Sequence, residues 1–185
     1  MSREKMSIDD VIKGRRSIRA YKRDNVPEEL IRQVIEAATF APSAKNGQQW
    51  RFTVLTGVSK DKFTDLYRSE LNKLDYDVGS SYGSCNMMEK APVTIVVWNT
   101  NQFGWATESH SVAAAIQNLL LKAHALGLGT CLNGALVHAL DHSPELRAAL
   151  PIPAQNEIPV GFMIGYPALK FLRTVHRRPA RATWL

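Results

Sequence analysis

Cysteine is scarce in this 185-residue chain: Cys85 and Cys131 are the only two, and no CxxC pair occurs. That excludes a disulfide framework and a paired-cysteine zinc or redox motif, and a reducing cytoplasm is the expected setting. No apolar run approaches the roughly 18–20 residues of a membrane helix. The opening MSREKMSIDD lacks the apolar core of a signal peptide. A GxxxxGK[ST] phosphate loop and a GxSxG nucleophile elbow are both missing. GLGTCLNG (127–134) contains GxG without the third glycine of a dinucleotide fingerprint, and it follows a helix rather than a strand. His138 and His142 are spaced i, i+4, but Ala139 stands where an HExxH zinc pair needs glutamate. Solvated histidines are expected there, and His110, His124 and His176 form no ligand spacing. Neither cysteine has an evident activating base, so no nucleophile and no metal site are assigned.

Acids are also missing, from two short stretches near opposite ends of the chain. Lys13, Arg15, Arg16, Arg19, Lys22 and Arg23 form one, and Lys170, Arg173, Arg177, Arg178 and Arg181 the other. Together they hold eleven of the 23 basic residues, leaving 12 against all 17 acids elsewhere, in a chain of net charge +6. An acidic body with two basic ends points to one anion site assembled by folding, because fixed charge of one sign concentrates an anionic ligand. Arginine's rigid fork suits phosphate. The alternative is two solvated basic ends, and a pI near 9.5 also leaves a nucleic-acid-binding module open.

Length favours a single domain, 1–185, with a real core. Ser7 caps a helix carrying Asp9 and Asp10 in its first turn and ending near Gly14. Pro27 opens a second helix with Leu30, Ile31, Val34, Ile35 and Ala38 on one face, stopped by Ala41-Pro42. Residues 51–57 read as a strand, and Ser59 is expected to cap a third helix. The stretch 76–86, rich in Gly, Ser and Tyr, reads as mobile. Val93 to Trp98 is a continuous β-branched run, expected of a strand buried on both faces. The helix 108–126, closed by Gly127, is apolar nearly all round and needs cover nearly all round; a subunit interface is one source. Strands near 129–132 and 158–164 and a helix capped by Ser143-Pro144 complete a mixed α and β domain.

Three segments are candidates for chemistry. RRSIRAY (15–21), if extended, points Arg15, Ser17 and Arg19 to one side and Arg16 to the other. That side is either a phosphate clamp or a solvated loop. APSAKNGQQW (41–50) offers amide side chains to a ligand with imide-like edges, or simply forms turns. Phe103 and Trp105 in NQFGWA either line an apolar cavity over a planar ligand or anchor a loop to the core.

Taken in order, these motifs resemble the nitroreductase family of FMN-dependent oxidoreductases over nearly the whole chain. RRSIRAY is similar to the family's opening basic segment and APSAKNGQQW to its Pro-Ser loop ending in Trp. AAAIQNLLLKAHALGLGTCLNG (113–134) is similar to its central helix and glycine turn, and GYP (165–167) with RRP (177–179) to its C-terminal segment. The resemblance implies an α+β, three-layer α/β/α homodimer with a central, mostly antiparallel sheet. It implies that Arg15, Ser17 and Arg177 hold the FMN phosphate, with Arg16 beside them and Arg178 able to substitute for its neighbour. Arg19 would reach the flavin O2/N1 side, and the backbone at Asn133 and Gly134 the N5/O4 edge. Pro42, Ser43 and Asn46 would come from the partner subunit, and Asn86 is the candidate for a further flavin contact. Phe103 and Trp105 would face the substrate. Ala44 replaces a second serine, Asn133 replaces an acid found in some members, and the C-terminal arm would be short. The implied activity is ping-pong: NAD(P)H reduces the flavin, and a nitroaromatic, quinone or activated alkene reoxidises it. Dehalogenation or dehydrogenation is the alternative within the family. No nucleic acid, membrane or metal partner is implied.

Overall fold

In the computed structural model, residues 6–74, 85–104, 107–154, 156–157, 160–173 and 175–185 are described. Four strands form one antiparallel sheet in the order β1-β2-β4-β3. They are β1 (Trp50–Thr56), β2 (Val93–Asn99), β3 (Gly129–Asn133) and β4 (Val160–Gly165). β2 is buried along nearly its whole length, as its unbroken β-branched run requires. Period-2 alternation divides its side chains: Val93, Ile95 and Val97 enter one core and Val96 the other, while Phe162 and Ile164 of β4 oppose Met163 in the same way.

Helices cover both faces. One layer consists of α2 (Glu28–Thr39) and α5 (Thr107–Ala125), which pack on each other over the Val34–Ile95–Leu119 core. The other contains α3 (Gly57–Lys73), a short α4 over residues 85–90, α6 (Gly134–His142) and α7 (Pro144–Ala148), around Tyr67, Met88, Leu136 and Met163. The three-layer α+β arrangement is therefore the one expected. α1 (Ile8–Gly14) starts with a full capping box between Ser7 and Asp10.

Local differences have local causes. α3 begins at Gly57, two residues before the expected cap, because Ser59 donates its hydroxyl back to the Thr56 carbonyl (2.8 Å) instead of capping. Residues 75–84 lie outside the described part, but residues 85 and 86 open α4 rather than a mobile stretch. The buried Lys60 fastens that helix by donating to the carbonyls of Glu89 (3.0 Å) and Ala91 (3.2 Å). His138 and His142 share a face of α6, their rings 4.1 Å apart. Among the described residues no helix is long and apolar enough to cross a membrane, and no cluster of His, Cys, Asp and Glu could hold a metal ion.

Candidate functional site

α1 ends where Gly14 gives way to Arg15, and the chain then runs extended along the free edge of β3. Ile18 donates its N–H to the Thr130 carbonyl (2.9 Å), and Ser17 bridges Thr130 in parallel register. The other edge of the same segment takes the chain that leaves β4. Lys22 donates to Tyr166 (2.8 Å), Ala168 donates to Ala20 (2.9 Å), and Tyr21 pairs with Pro167. A backbone ladder thus joins the two basic stretches across about 150 residues of sequence.

Two apolar side chains set the segment's facing. Ile18 and Tyr21 are buried, Ile18 lying so close to Gly129 that a Cβ there would come within 2.6 Å of its Cγ1. Tyr21 packs on Gly165 and donates its hydroxyl to the Ile18 carbonyl. With Ile18 turned in, Arg15, Ser17 and Arg19 turn out together. All three act on the Cys131 thiol: burial pushes it up, while Arg19, the Ser17 hydroxyl and Arg15 pull it down. The Ser17 hydroxyl and the Arg15 and Arg19 charges are therefore all felt at Cys131 on β3. Arg16 is engaged elsewhere. Its guanidinium stacks over Phe171 (4.3 Å) and donates to the Arg173 carbonyl (2.8 Å). A cavity of about 730 Å³ at this junction is lined by Arg15, Arg16, Lys22 and Lys170, with no carboxylate. His124 lines it too; its Nε2 is covered and has no partner among the described residues. Burial, reinforced by Arg15, lowers the pKa of that imidazole.

Arg177 and Arg178 are exposed in the tail, the first of them four residues beyond Arg173. Four residues span up to about 14 Å, so the tail's reach from that anchor is short. At the far end of β3, Asn133 is buried, and its side-chain oxygen caps α6 by accepting from Leu136 N (3.1 Å). Its side chain is therefore committed to the helix rather than to a ligand. Gly134 is exposed, and a Cβ built there would meet nothing within 4 Å. Asn86 is exposed on α4, on the same side of the sheet as Cys131.

Pro42, Ser43 and Asn46 do not join this group within one chain. Their loop leads into β1, at the sheet edge opposite β3. It is tied to the start of α5, Ala44 N donating to Ser111 Oγ (3.4 Å), whereas the basic segment lies beside His124 near that helix's end. Thirteen residues of α-helix separate those anchors, about 20 Å along the axis. The loop is held open by left-handed backbone at Lys45, Asn46 and Gln48, with Ser43 Oγ accepting from Gln48 N (3.1 Å). Phe103 belongs to the same cluster. A Cβ at Gly47 would come within 2.8 Å of its ring, and Lys45 Nζ lies 5.8 Å from the ring centroid. Trp105 lies outside the described residues.

Two fasteners escape a reading of motifs. Glu108, fully buried, accepts the backbone N–H groups of Gln102 (3.0 Å) and Phe103 (2.6 Å), which fixes Phe103 against Gly47. An acid in a first helical turn reads as a dipole partner, so its backward reach leaves no sequence signal. Phe171 is legible only as an aromatic inside a basic stretch.

A family profile described as the nitroreductase family matches residues 12–166. The chain belongs to the nitroreductase family. A Methanothermobacter thermautotrophicus protein, provisionally named an NADH dehydrogenase/NAD(P)H nitroreductase, is 36% identical over 89% of this chain and 79% of its own. A chloronitrobenzene nitroreductase of Comamonas testosteroni is 26% identical, covering 86% of each chain. Among solved structures, a Bacteroides fragilis nitroreductase with bound FMN superposes with a TM-score of 0.81 at 26% identity, over 97% of this chain and 99% of that one. The family assignment agrees with the resemblance read from the motifs.

Proposed function

We propose that this nitroreductase-family chain binds FMN and passes two electrons from NAD(P)H to a small acceptor, with nitroaromatics, quinones and activated alkenes as the acceptor class. The observation that carries this reading is the ladder joining the two basic stretches, with the Arg15 and Arg19 charges and the Ser17 hydroxyl all felt at Cys131. That donor set fits a flavin mononucleotide: two cations and a hydroxyl for a phosphate-bearing ligand, and uncovered backbone at Gly134 for a flat edge. FMN, when bound, supplies the redox chemistry, accepting hydride at N5 and giving two electrons to the acceptor in alternate half-reactions.

The chain's own work is binding, orientation and charge. Arg15 and Ser17, with Arg177 or Arg178 from the tail, would hold the phosphate. Arg19 would place a cation on the O2/N1 side, where a negatively charged reduced ring is favoured. Asn133 and Gly134 would offer main-chain groups to the N5 side, and Asn86 a further side-chain contact. The separation of about 20 Å between the Pro42–Asn46 loop and the basic segment supports a homodimer in which Pro42, Ser43 and Asn46 serve the partner's flavin. Because Phe103 packs on Gly47, it would travel with that loop and line the acceptor pocket, with Trp105 close in sequence. The outward stripe of α5 that includes Ala113 and Gln117 is exposed in the single chain, and a partner would cover it.

The purified protein is expected to be a yellow dimer whose flavin absorbance bleaches on adding NADH or NADPH and returns with a nitroaromatic or quinone. Arg15→Ala and Arg177→Ala are each expected to weaken FMN about tenfold or more, the scale of a charge-assisted phosphate contact. A yellow protein that neither nucleotide bleaches would overturn the reductase reading and keep the flavin site. A colourless protein that refuses added FMN would overturn both.

A further inference from the structure

After Ala168 the tail loses its backbone partner. Among the described residues, no main-chain hydrogen bond ties residues 169–173 to the rest of the chain. The next fastener is a side chain: Arg16 stacks on Phe171 (4.3 Å) and donates to the Arg173 carbonyl (2.8 Å). Arg16 is half-buried there, its guanidinium committed to Phe171 and the Arg173 carbonyl. Beyond this anchor only three residues intervene before Arg177 and four before Arg178. A free tail would spread those two guanidinium groups over a large volume, and an anchored one confines them to within about 14–18 Å of Arg173.

We infer that Arg16 is a positioning residue for the phosphate end of the site: it clamps the C-terminal strap through Phe171 and the Arg173 carbonyl, and so raises the local concentration of Arg177 and Arg178 beside Arg15 and Ser17. The inference rests on the flavin reading above and assigns Arg16 a role different from direct contact with the phosphate. Pairing a guanidinium with both a ring face and a carbonyl uses the two properties that lysine lacks, planarity and a fork of donors.

The test is titration of the apoprotein with FMN and, in parallel, with riboflavin, which has the same ring system and no phosphate. Arg16→Ala and Phe171→Ala are each expected to weaken FMN three- to tenfold, roughly the scale of one cation–π contact with a hydrogen bond. Riboflavin affinity stays unchanged in both. Phe171 cannot bond a phosphate, so its equivalence to Arg16 is the distinguishing result. In a background carrying Arg177→Ala and Arg178→Ala, Arg16→Ala adds no further loss. Arg16→Lys recovers less than half of the effect.

Full additivity in that background would mean that Arg16 meets the phosphate itself, and the inference falls. Equal losses for FMN and riboflavin would mean general loosening of the fold, and it falls equally. Phe171→Leu, which keeps apolar bulk at the position, guards against misfolding of the alanine variant and is expected to match it. A wild-type chain that takes neither ligand overturns the flavin reading itself. A wild type that binds FMN no better than the Arg16 and Phe171 variants overturns the strap alone.

Discussion

The two ends of α5 carry two parts of the candidate site, and they are built by different means. Near His124 the basic segment is held by its main chain, with bonds to β3 on one edge and to the tail on the other. Near Ser111 the loops bearing Asn46 and Phe103 are held by side chains: Glu108 on two N–H groups, Ser43 on a third, Ser111 on a fourth. Backbone ladders fix position whatever the side chains are, so Arg15, Ser17 and Arg19 are not needed to hold the segment in place. Side-chain fasteners there supplement short-range backbone bonds and the one from Thr100 N to the Gln49 carbonyl (2.9 Å). The first arrangement suits an element common to many ligands, such as a phosphate grip, and the second suits a pocket wall that varies with the acceptor.

The sharpest way to break the first region is at Gly129. An alanine there would put its Cβ 2.6–2.9 Å from three carbons of the buried, β-branched Ile18, which has little freedom to turn aside. Gly129→Ala is expected to cost about 2–3 kcal/mol, lowering Tm by roughly 5–10 °C in a chain of this size, and to weaken FMN. Gly134→Ala is the contrast, because its Cβ meets open space and the position opens α6. Thermal melts should show Tm unchanged or slightly raised, while FMN titration shows a loss. Normal FMN affinity in Gly134→Ala would remove Gly134 from the flavin edge.

A smaller effect is expected from the second region. Glu108→Ala strands two backbone donors behind a buried position, a cost of about 2 kcal/mol once the loop relaxes toward water. The steady-state signature is the informative part. KM for the acceptor should rise severalfold, with FMN affinity changed less than about threefold. Glu108→Gln, which retains one acceptor oxygen, should lie between. If Glu108→Ala releases FMN as strongly as Arg15→Ala does, the two regions are one unit and the contrast between them fails.

The same contrast explains what the sequence made legible. Charge is additive along a chain, so two acid-free basic stretches could be paired before any fold was known, and the ladder between residues 20–22 and 166–168 brings them together. Helix periodicity and the β-branched run at Val93–Trp98 carried the layers. What stayed hidden depends on long-range geometry: that Phe103 sits on Gly47, that Glu108 reaches backward, and that Phe171 receives Arg16. α4 was lost because its signal is the buried pair Met87 and Met88 next to a polar stretch, and its C-terminal carbonyls are satisfied by Lys60 from α3. The distance between the Pro42–Asn46 loop and the basic segment likewise follows only from knowing which ends of α5 they touch.

The smallest expected effect concerns His124, at the junction of the basic segment and the cavity. Its imidazole titrates below the ordinary 6.5 because burial, and then Arg15, disfavour the charged ring. The unfolded chain therefore binds a proton that the folded chain refuses. Stability from this residue is complete above pH 6.5 and declines as pH falls through the lower folded value. Denaturant melts between pH 7.5 and 5.5 should show that decline in the wild type and a flatter profile in His124→Gln, the contributions of other groups cancelling in the difference. A phosphate held beside Arg15 would offset the smaller of those two causes, so saturating FMN should make the wild-type profile less steep while the part due to burial remains. If FMN leaves the slope unchanged while removal of His124 abolishes it, the phosphate does not lie near Arg15. The two basic stretches would then meet around a cavity that the flavin does not use.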